Sequence, residues 1–492
     1  MEYISTRGKA QPTDSANSII QGIASDGGLF VPAELPKFDL EKLNEVSQGP
    51  YHLFAAEILS RYLSFDKEQL TEKMELAYSR FTDPEVCPTR KLDDKLGVLE
   101  LWHGPTFAFK DMALQVLPQL LTLAKDEVGE KRTQVILVAT SGDTGKAALE
   151  GFCDVPGTKV IVFYPKGGVS PMQELQMVTQ RGGNVSVVAV EGNFDHAQSG
   201  VKKLFADNAL EGELVQAGYS FSSANSINPG RLLPQIVYYF KSYFDAVRLG
   251  IVALGEKLNF VVPTGNFGNI LAAFYAREGG LPVGRLICAS NRNRVLTTFF
   301  QTGLYDRRLP FYKTNSPSMD ILISSNLERL LFEASGRDSA LVCELMEKLS
   351  VQGHYQIPSS LQQKLGELFW ADYADEDQTV TKIKDTFSRY NYCLDHHTAV
   401  AMKVAEQYRE EAQEPLVVVS TASPFKFPQT VAQALGESGS DEFQLLTKLS
   451  ARTGLAIPQA LSELSKEPIR HTRVISPETM AEAVREILQL GA

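Results

Sequence analysis

From Val98 onward, short apolar runs rich in β-branched residues alternate with segments whose apolar residues recur at helical spacing. Parallel strands need a long crossover connection, which is usually a helix, so this alternation predicts parallel β-sheets with helices on both faces. The predicted strands are 134–139, 159–164, 185–190, 258–262, 285–289 and 416–419. Helices are predicted from Thr144 and over about 172–181, 195–208 and 270–277. The sequence therefore predicts an α/β fold.

Helical spacing also dominates the two ends of the chain, from Asp39 to about Phe81 and again after Phe443. Near the second end, Ser476-Pro477-Glu478 favours a helix start, because serine caps helices and proline fits a first turn. Pro118 lies inside a helical stretch, so that helix is predicted to kink or split.

A chain of 492 residues is too long for one compact core, so several domains are predicted. We expect a mainly helical region over residues 1–95 and an α/β region over 96–440. Within the α/β region, a smaller subdomain is expected at about 130–225, and a helical segment follows at 441–492.

The bulk charge and the metal-binding side chains exclude several classes of function. A net charge of −11 argues against a nucleic-acid or anionic-membrane partner. The 5 cysteines are scattered, and the 7 histidines include only one close pair, His396-His397. No disulfide framework or metal site is predicted, and a cytoplasmic location is expected. No apolar run reaches the ~18 residues of a membrane span, and the N-terminus does not have the pattern of a signal peptide.

Two glycine-rich turns follow predicted strands, where ligands bind in open parallel sheets. The first, 140–146, is not a nucleotide P-loop, because two residues separate Gly142 from Gly145 and Ala147 replaces the magnesium-binding hydroxyl. The second, 263–269, precedes a helix, so its backbone N–H groups suit a single phosphate. It does not contain the dinucleotide motif, and a tight turn without a ligand is the alternative interpretation.

Lys110 is a candidate nucleophile because Phe107, Phe109 and Met112 surround it in the sequence. Apolar surroundings lower the pKa of a lysine, and Schiff-base formation requires the neutral amine. The alternative interpretation is a solvated surface lysine.

The stretch His103-Gly-Pro-Thr-Phe-Ala-Phe-Lys-Asp111 contains Lys110 and, together with seven other stretches, resembles the threonine synthase family. It is similar to the pyridoxal-lysine motif of that family. The other similar stretches, in chain order, are Tyr3–Arg7, Asp26–Pro32, Thr140–Gly145, Asn225–Asn228 with Arg231, Pro263–Asn269, Pro317–Asp320, and Ser420–Ala422 leading to Lys426-Phe427. The resemblance spans essentially the whole chain. It implies the pyridoxal-phosphate fold type II of the tryptophan synthase β-like family, with two parallel-sheet subdomains and helical additions at both ends.

The resemblance also implies roles for individual residues. Lys110 would form a Schiff base with pyridoxal 5′-phosphate and later move protons. Asp143 would lie opposite the phenolic oxygen of the cofactor, and Thr421 would hydrogen-bond its pyridine nitrogen. The predicted ligands of the cofactor phosphate are Gly265, Asn266, Phe267, Gly268 and Asn269. The predicted ligands of the substrate are Thr140, Ser141 and Thr144 for its carboxylate and Asn225, Asn228 and Arg231 for its phosphate.

The implied reaction makes L-threonine and phosphate from O-phospho-L-homoserine and water, by γ-elimination followed by hydration at Cβ. The chain would then be a carbon–oxygen lyase of threonine biosynthesis, working as a monomer or homodimer. Three alternatives stay open: a phospho-lyase that releases 2-oxobutanoate, ammonia and phosphate, a serine or threonine dehydratase, and a catalytically inactive binding protein. The sequence departs from the family at His396, where proline is expected, and at Ser423, where histidine is expected.

Overall fold

The computed structural model describes residues 1–140, 142–439 and 441–490. Its N-terminal region contains β1 (Glu2–Ser5), β2 (Thr13–Asp14), α1 (Ser15–Gln21), β3 (Phe30–Pro32), α2 (Leu40–Val46), α3 (Tyr51–Leu59) and α4 (Lys67–Tyr78). The predicted helical pattern is confirmed here, and α2 and α4 begin where the side chains of Asp39 and Asp66 accept backbone N–H groups. The small antiparallel sheet β2-β1-β3 was not predicted. Its strands are too short to show a periodic pattern.

The central region alternates strands and helices as predicted. Its elements are β4 (Thr89–Asp93), β5 (Leu96–Glu100), α5 (Asp111–Leu114), α6 (Leu117–Val128), β6 (Thr133–Ala139), α7 (Asp143–Phe152), β7 (Thr158–Pro165), α8 (Pro171–Val178), β8 (Val185–Val190), α9 (Phe194–Phe205), α10 (Asn208–Gln216) and β9 (Tyr219–Ser222). The helix predicted to kink or split is split, because Pro118 occupies the first turn of α6 and α5 ends before it.

The remaining region begins with a buried helix of 20 residues, α11 (Pro229–Arg248). It continues with β10 (Leu258–Pro263), α12 (Gly268–Glu278), β11 (Val283–Ser290), α13 (Val295–Thr302), β12 (Leu304–Asp306), α14 (Leu327–Ala334), α15 (Ser339–Gln352), β13 (His354–Gln356), α16 (Ser359–Leu368), β14 (Phe369–Tyr373), α17 (Glu376–Tyr390), α18 (His396–Glu411), β15 (Leu416–Ser420), α19 (Pro428–Ala434), α20 (Glu442–Thr453), α21 (Gln459–Ser462), β16 (Arg473–Ile475) and α22 (Met480–Leu488).

Two parallel sheets form the framework of the molecule, which confirms the predicted fold class. The larger sheet has 6 strands in the order β14-β11-β10-β15-β5-β4, and only β4 runs antiparallel to its neighbour. The smaller sheet has 5 parallel strands in the order β16-β8-β7-β6-β9. Its three middle strands are nearly continuous buried runs of β-branched residues, as expected for a sheet covered on both faces.

The segment after Phe443 was predicted to be helical, and β16 corrects that prediction. Arg473–Ile475 extends along β8 and closes one edge of the smaller sheet. The predicted helix start at Ser476 is displaced, because residues 477–479 form a single 3₁₀ turn and α22 begins at Met480. A strand of three residues leaves no alternation in the sequence, so its partner strand alone defines it.

The topology places several loops at one crevice. β10, β15 and β5 are neighbours in the larger sheet and run parallel, so the loops that follow them emerge at the same edge. The loop after β6 comes from the middle of the smaller sheet. Such an edge is where ligands bind in open α/β sheets. Among the described residues, no helix combines the length and the apolar character needed to cross a bilayer.

Candidate active site

The loop that carries Lys110 is fixed by backbone pairing with the loop after β15. Phe109 donates its N–H to the carbonyl of Thr421 at 2.8 Å, and Ser423 donates to the carbonyl of Phe107 at 3.0 Å. Phe107 adopts a left-handed backbone with φ 61°. This pairing brings two sequence-predicted cofactor residues, Lys110 and Thr421, to the same point of the crevice.

A buried carboxylate locks the turn just before Lys110. Asp111 accepts hydrogen bonds from the backbone N–H and the hydroxyl of Thr106, both at 2.7 Å. A Cβ atom at Gly104 would lie 2.4 Å from the Cβ of Asp111, so this turn requires glycine. Burial raises the pKa of Asp111 to about 6.

The Lys110 amine lies among other charged groups and is largely withdrawn from solvent. Its Nζ atom is 3.5 Å from Oδ2 of Asp143 and 3.3 Å from Oγ of Ser318, and its side chain is 12% exposed. Burial, together with the cations of Lys426 and Arg231, holds the pKa of Lys110 below its ordinary value, although Asp143 opposes this shift. The amine is thereby more readily available in the neutral form that attacks a carbonyl.

Asp143, at the start of α7, is shared between two lysines. Its Oδ1 atom lies 3.5 Å from Nζ of Lys426 and accepts a hydrogen bond from Gln173 at 3.2 Å, while Oδ2 faces Lys110. Burial favours the protonated acid, but the charges of Lys110 and Lys426 outweigh burial and hold the pKa of Asp143 well below its usual range. Asp143 is therefore a carboxylate at neutral pH.

The glycine turn 263–269 follows β10 and leads into the N-terminus of α12. Phe267 precedes α12 in a left-handed conformation with φ 68°, and the first hydrogen bond of that helix joins the N–H of Leu271 to the carbonyl of Phe267. The N–H groups of Gly268 and its neighbours precede that bond and therefore have no acceptor within the helix, which is the arrangement that binds anions at helix N-termini. A Cβ atom at Gly265 would lie 2.9 Å from the carbonyl oxygen of Ser318.

The two asparagines of the turn, Asn266 and Asn269, differ in exposure. Asn266 is exposed, whereas Asn269 is buried at 6% exposure. The Oδ1 atom of Asn269 accepts hydrogen bonds from the hydroxyl groups of Tyr238 and Tyr239 at 2.6 and 2.7 Å. Its Nδ2 atom is buried without a partner among the described residues, and a bound anion would supply one.

The first glycine turn is organised by Thr140, whose hydroxyl accepts the N–H groups of Gly142 and Gly145 at 2.9 Å each. Gly142 has φ 136°, a conformation that favours glycine. The hydroxyl of Thr140 is thus engaged within the turn, and Thr144 is half-buried beside it. Ser141, a predicted substrate ligand, lies outside the described residues.

The three predicted ligands of the substrate phosphate differ in burial and in hydrogen-bond partners. Arg231 is buried at 4% exposure, donates to the carbonyl of Ala224, and has an Nε atom without a partner among the described residues. Asn228 caps α11 by accepting the N–H of Gly230 at 2.8 Å and uses its Nδ2 atom on backbone carbonyls. Asn225 is exposed. The structure therefore brings Arg231 to the crevice with donor capacity to spare and shows a structural use for Asn228.

Four residues of the site had no role assigned from the sequence: Gln173, Ser318, His397 and Lys426. Ser318 and Lys426 lie in stretches that resemble the family, and that position was the available signal. His397 accepts the N–H of Ser318 at Nε2, at 3.2 Å, and its Nδ1 atom is 3.1 Å from Asp395. His397 thus holds the Ser318 segment against Lys110.

One group of described residues, Asp395, His396 and His397, has ligand atoms close enough together for a metal ion. Both ring nitrogens of His397 already have partners, so the geometry favours a structural role. His396, which stands where proline was expected, is buried, and neither of its nitrogens has a partner in the part of the chain that the structure describes. Burial lowers its pKa well below the ordinary value. It is therefore a neutral residue packed beside Phe427.

These residues fit pyridoxal 5′-phosphate. The unpartnered Nδ2 atom of Asn269 and the helix N-terminus beside it suit a phosphate, and the turn has no room for a side chain at Gly265. Lys110 provides the amine, and Lys426 and Arg231 add positive charge that suits an anionic ligand. One crevice therefore offers both an amine for an aldehyde and donors for a phosphate.

Comparison with known proteins gives matches over nearly the whole chain. Sequence models of three families match: threonine synthase N terminus at residues 2–78, pyridoxal-phosphate dependent enzyme at 87–351, and threonine synthase, C-terminal, at 398–488. The threonine synthase of Pseudomonas aeruginosa is 40% identical over 436 residues, which cover 88% of this chain and 90% of that protein. Human threonine synthase-like 1 is 40% identical over 469 residues, which cover 92% of this chain but 62% of that protein. The chain thus spans less than two thirds of the length of human threonine synthase-like 1.

Solved structures of threonine synthases superpose closely on this chain. A pyridoxal-phosphate-bound threonine synthase from Brucella melitensis superposes with a TM-score of 0.89 at 36% identity, covering 100% of both chains. The yeast threonine synthase gives a TM-score of 0.88 at 33% identity, covering 99% of both chains.

Proposed function

Because the chain belongs to the threonine synthase family of pyridoxal-phosphate-dependent enzymes, we propose that it converts O-phospho-L-homoserine and water to L-threonine and phosphate. The observation that carries this proposal is the convergence of Lys110, the glycine turn 263–269 and Arg231 on one crevice. Such a site holds an amine, a place for the cofactor phosphate, and a separate cation for a second phosphate.

The cofactor is proposed to be held by residues at both ends of the crevice. Lys110 attaches its aldehyde, the turn residues 265–269 bind its phosphate, and Thr421 faces its ring nitrogen. When bound, pyridoxal 5′-phosphate withdraws electrons and so acidifies the Cα hydrogen of an attached amino acid. A hydroxyl at Thr421, unlike a carboxylate, leaves that withdrawal moderate.

Lys110 is the proposed base that takes the Cα proton of the substrate, because its lowered pKa favours a neutral amine. Asp143, held as a carboxylate, accepts a hydrogen bond from the resulting ammonium and keeps it oriented. Removal of a Cβ proton would then allow phosphate to leave Cγ. A proton would be added at Cγ to form the methyl group, the hydroxide of water would add at Cβ while its proton goes to the released phosphate, and a proton returned to Cα would complete L-threonine. The hydroxyl of Ser318, 3.3 Å from Nζ of Lys110 and 3.2 Å from Asp143, is positioned to steady the amine between these proton transfers.

Arg231 is the proposed ligand of the substrate phosphate. Its guanidinium is buried and its Nε atom has no partner among the described residues, so an incoming phosphate meets an unused donor. Burial lowers the pKa of Arg231 to about 10, and the group therefore remains a cation at neutral pH. A dehydratase acting on an uncharged hydroxyl substrate has no use for this cation.

A second candidate uses the same substrate but releases 2-oxobutanoate, ammonia and phosphate. The similarity to human threonine synthase-like 1, at 40% identity, supports keeping this candidate under test. The two reactions differ in whether water is added at Cβ before the product leaves.

The 5 free cysteines further support a reducing, cytoplasmic location for the proposed enzyme, as a monomer or homodimer.

Product analysis tests the proposal directly. The protein is incubated with pyridoxal 5′-phosphate and O-phosphohomoserine, and threonine, 2-oxobutanoate and phosphate are quantified. Threonine and phosphate in equal amounts are expected, and Lys110→Ala is expected to abolish both. Oxobutanoate without threonine would reject the leading proposal in favour of the second candidate, and turnover of threonine without turnover of the phosphorylated substrate would reject both.

A further inference from the structure

The first turn of α14 joins three segments that are distant in the sequence, and Arg329 is at its centre. We propose that Arg329 is a positioning residue for the cofactor phosphate, although it lies behind the glycine turn and outside the crevice. It would fix the turn through Asn326 and add a buried positive charge beneath it. This inference rests on the proposed function, because it assumes that residues 265–269 bind the phosphate.

Arg329 is fully buried and donates in three directions. Its Nε atom donates to the carbonyl of Phe30 at 2.9 Å, which lies on β3 of the N-terminal sheet. One Nη atom donates to the carbonyl of Ile227, just before α11, and the other donates to Oδ1 of Asn326. A single planar guanidinium thus connects the N-terminal sheet, the segment that precedes Arg231, and α14.

Asn326 continues this connection to the glycine turn. The carbonyl of Asn266 accepts both the backbone N–H of Asn326, at 3.1 Å, and its Nδ2 group, at 3.0 Å. Because Arg329 occupies Oδ1 of Asn326, the amide must present its Nδ2 end to Asn266. Arg329 therefore determines the orientation of the side chain that holds the turn.

The charge of Arg329 has no carboxylate partner among the described residues, since its three acceptors are neutral oxygens. The adjacent acid, Glu328, is engaged with Arg7 and Thr6 at 3.1 and 2.7 Å. Burial lowers the pKa of Arg329 to about 10, which still leaves a cation at neutral pH. The charge of Glu328 favours this cation, but no carboxylate among the described residues pairs with Arg329 directly. Burying a cation without a direct partner is unfavourable, and an anion bound at the turn would relieve that cost.

The test compares two aldehydes that differ only in the phosphate. Equilibrium dialysis measures the affinities of pyridoxal 5′-phosphate and of pyridoxal for the wild-type protein, Arg329→Met, Arg329→Lys and Arg337→Met. Arg337 is the matched control, because it also lies next to α14 and donates to a carbonyl of the N-terminal region, that of Ala33, but has Glu333 as its counter-ion. Arg329→Met is expected to weaken binding of the phosphorylated aldehyde by about 10-fold or more and to leave pyridoxal nearly unchanged. Arg329→Lys should be intermediate, and Arg337→Met should resemble wild type.

Asn326→Asp provides a second variant that should keep the fold. The new carboxylate would pair with Arg329 and neutralise its charge, and it would lose the donor to Asn266. It is expected to reduce the preference for the phosphorylated aldehyde without lowering the unfolding temperature.

The outcomes separate this inference from the proposed function. Equal affinities of the wild-type protein for both aldehydes would reject the phosphate role of the glycine turn, and with it the role of Arg329. A wild-type preference that persists unchanged in Arg329→Met and Asn326→Asp would reject only the role of Arg329. Equal weakening of both aldehydes would also reject it, because that result indicates a general loss of structure.

Discussion

At the scale of single residues, the charge state of the site depends on Asp143 lying between two lysines. Each carboxylate oxygen lies 3.5 Å from the Nζ atom of one lysine, so neither lysine holds the carboxylate alone. The cation of Lys426 lowers the pKa of Lys110, whereas Asp143 raises it. Lys426 therefore helps to keep the Lys110 amine reactive, although Lys426 itself does not take part in the attack on the carbonyl.

Removing the charge of Lys426 should slow capture of the cofactor at neutral pH. In Lys426→Met, Asp143 has only Lys110 as its ammonium partner, so the pKa of Lys110 should rise and the pH dependence of Schiff-base formation should move to higher pH. The rate at pH 7 should fall about 10-fold for each unit by which that pKa rises. The change in absorbance as pyridoxal 5′-phosphate reacts measures this rate. Lys426→Arg retains the charge and should stay near wild type; an unchanged pH profile in Lys426→Met would contradict the prediction.

Asp111 should make stability depend on pH in an unusual direction. Burial raises its pKa from 3.8 to about 6, so the folded protein binds this proton more tightly than the unfolded chain. The protonated side chain therefore stabilises the folded state fully below about pH 4. This stabilisation is lost as pH rises through 6, which lowers the free energy of unfolding by on the order of 2–3 kcal/mol.

Asp111→Asn removes this ionisation. Its stability deficit relative to wild type should therefore shrink between pH 4.5 and pH 7.5, as measured by thermal unfolding at both values. Asp94→Asn, at a side chain that is 98% exposed, is the control and should show no such trend. A deficit for Asp111→Asn that stays constant across this range would refute the assignment.

At the scale of elements, the site is built from loops that follow parallel strands, and the sequence predicted most of these strands. The predicted strands at 134–139, 258–262 and 416–419 agree with β6, β10 and β15, but β5, which precedes the loop that carries Lys110, was not predicted. Such long buried runs carry a strong signal because both faces of each strand are covered. The segments around Ser318 and Gln173 carry no such signal, because a 3₁₀ turn and a helix start reach the site only through tertiary packing.

Gly265→Ala tests how tightly the glycine turn fits the Ser318 segment. The added methyl group would lie 2.9 Å from the carbonyl of Ser318 and 3.4 Å from Cα of Met319, so backbone must move. Displacing Ser318 removes its contact with Lys110, and the affinity for pyridoxal 5′-phosphate should fall about 10-fold. Cofactor titration provides the measurement. Gly366→Ala, on α16, is the control, because beyond the adjacent helix backbone no heavy atom of the described residues lies within 4 Å of the new methyl group; it should bind like wild type. Wild-type affinity in Gly265→Ala would show that the turn can accommodate the methyl group.

At the scale of the whole molecule, the smaller sheet depends on a segment from far along the chain. β16 pairs with β8, and α22 packs Met480, Val484 and Leu488 into the core of that sheet. The family resemblance that a few motifs indicated was confirmed. Composition and periodicity could not reveal that the chain comes back to pair β16 with β8, because a strand of three residues has no pattern of its own. The predicted division separates the segment that begins at residue 441 from the subdomain at about 130–225. Within that segment, Arg473–Ile475 and α22 pack with the smaller sheet, whereas α20 packs into the core beside the larger sheet.

Met480→Ala should loosen the smaller sheet selectively. Met480 is 2% exposed and its sulfur would be 2.1 Å from a Cβ atom at Gly200, so α22 and α9 are closely packed there. Truncation of such a buried methionine costs about 2–5 kcal/mol. Faster hydrogen exchange is expected in the backbone of β8, with little change in the larger sheet. Glu482→Ala, an exposed position on the same helix, is the control, and uniform exchange changes in both sheets would contradict a local effect.

The return of β16 to β8 has a consequence for biosynthesis. As the nascent chain leaves the ribosome, β6, β7 and β8 emerge long before residues 473–475 are translated. Until then the outer edge of β8 has no strand beside it, and the growing polypeptide exposes a site for wrong intermolecular pairing. Nascent-chain protection by chaperones should therefore matter most during translation of residues 191–472.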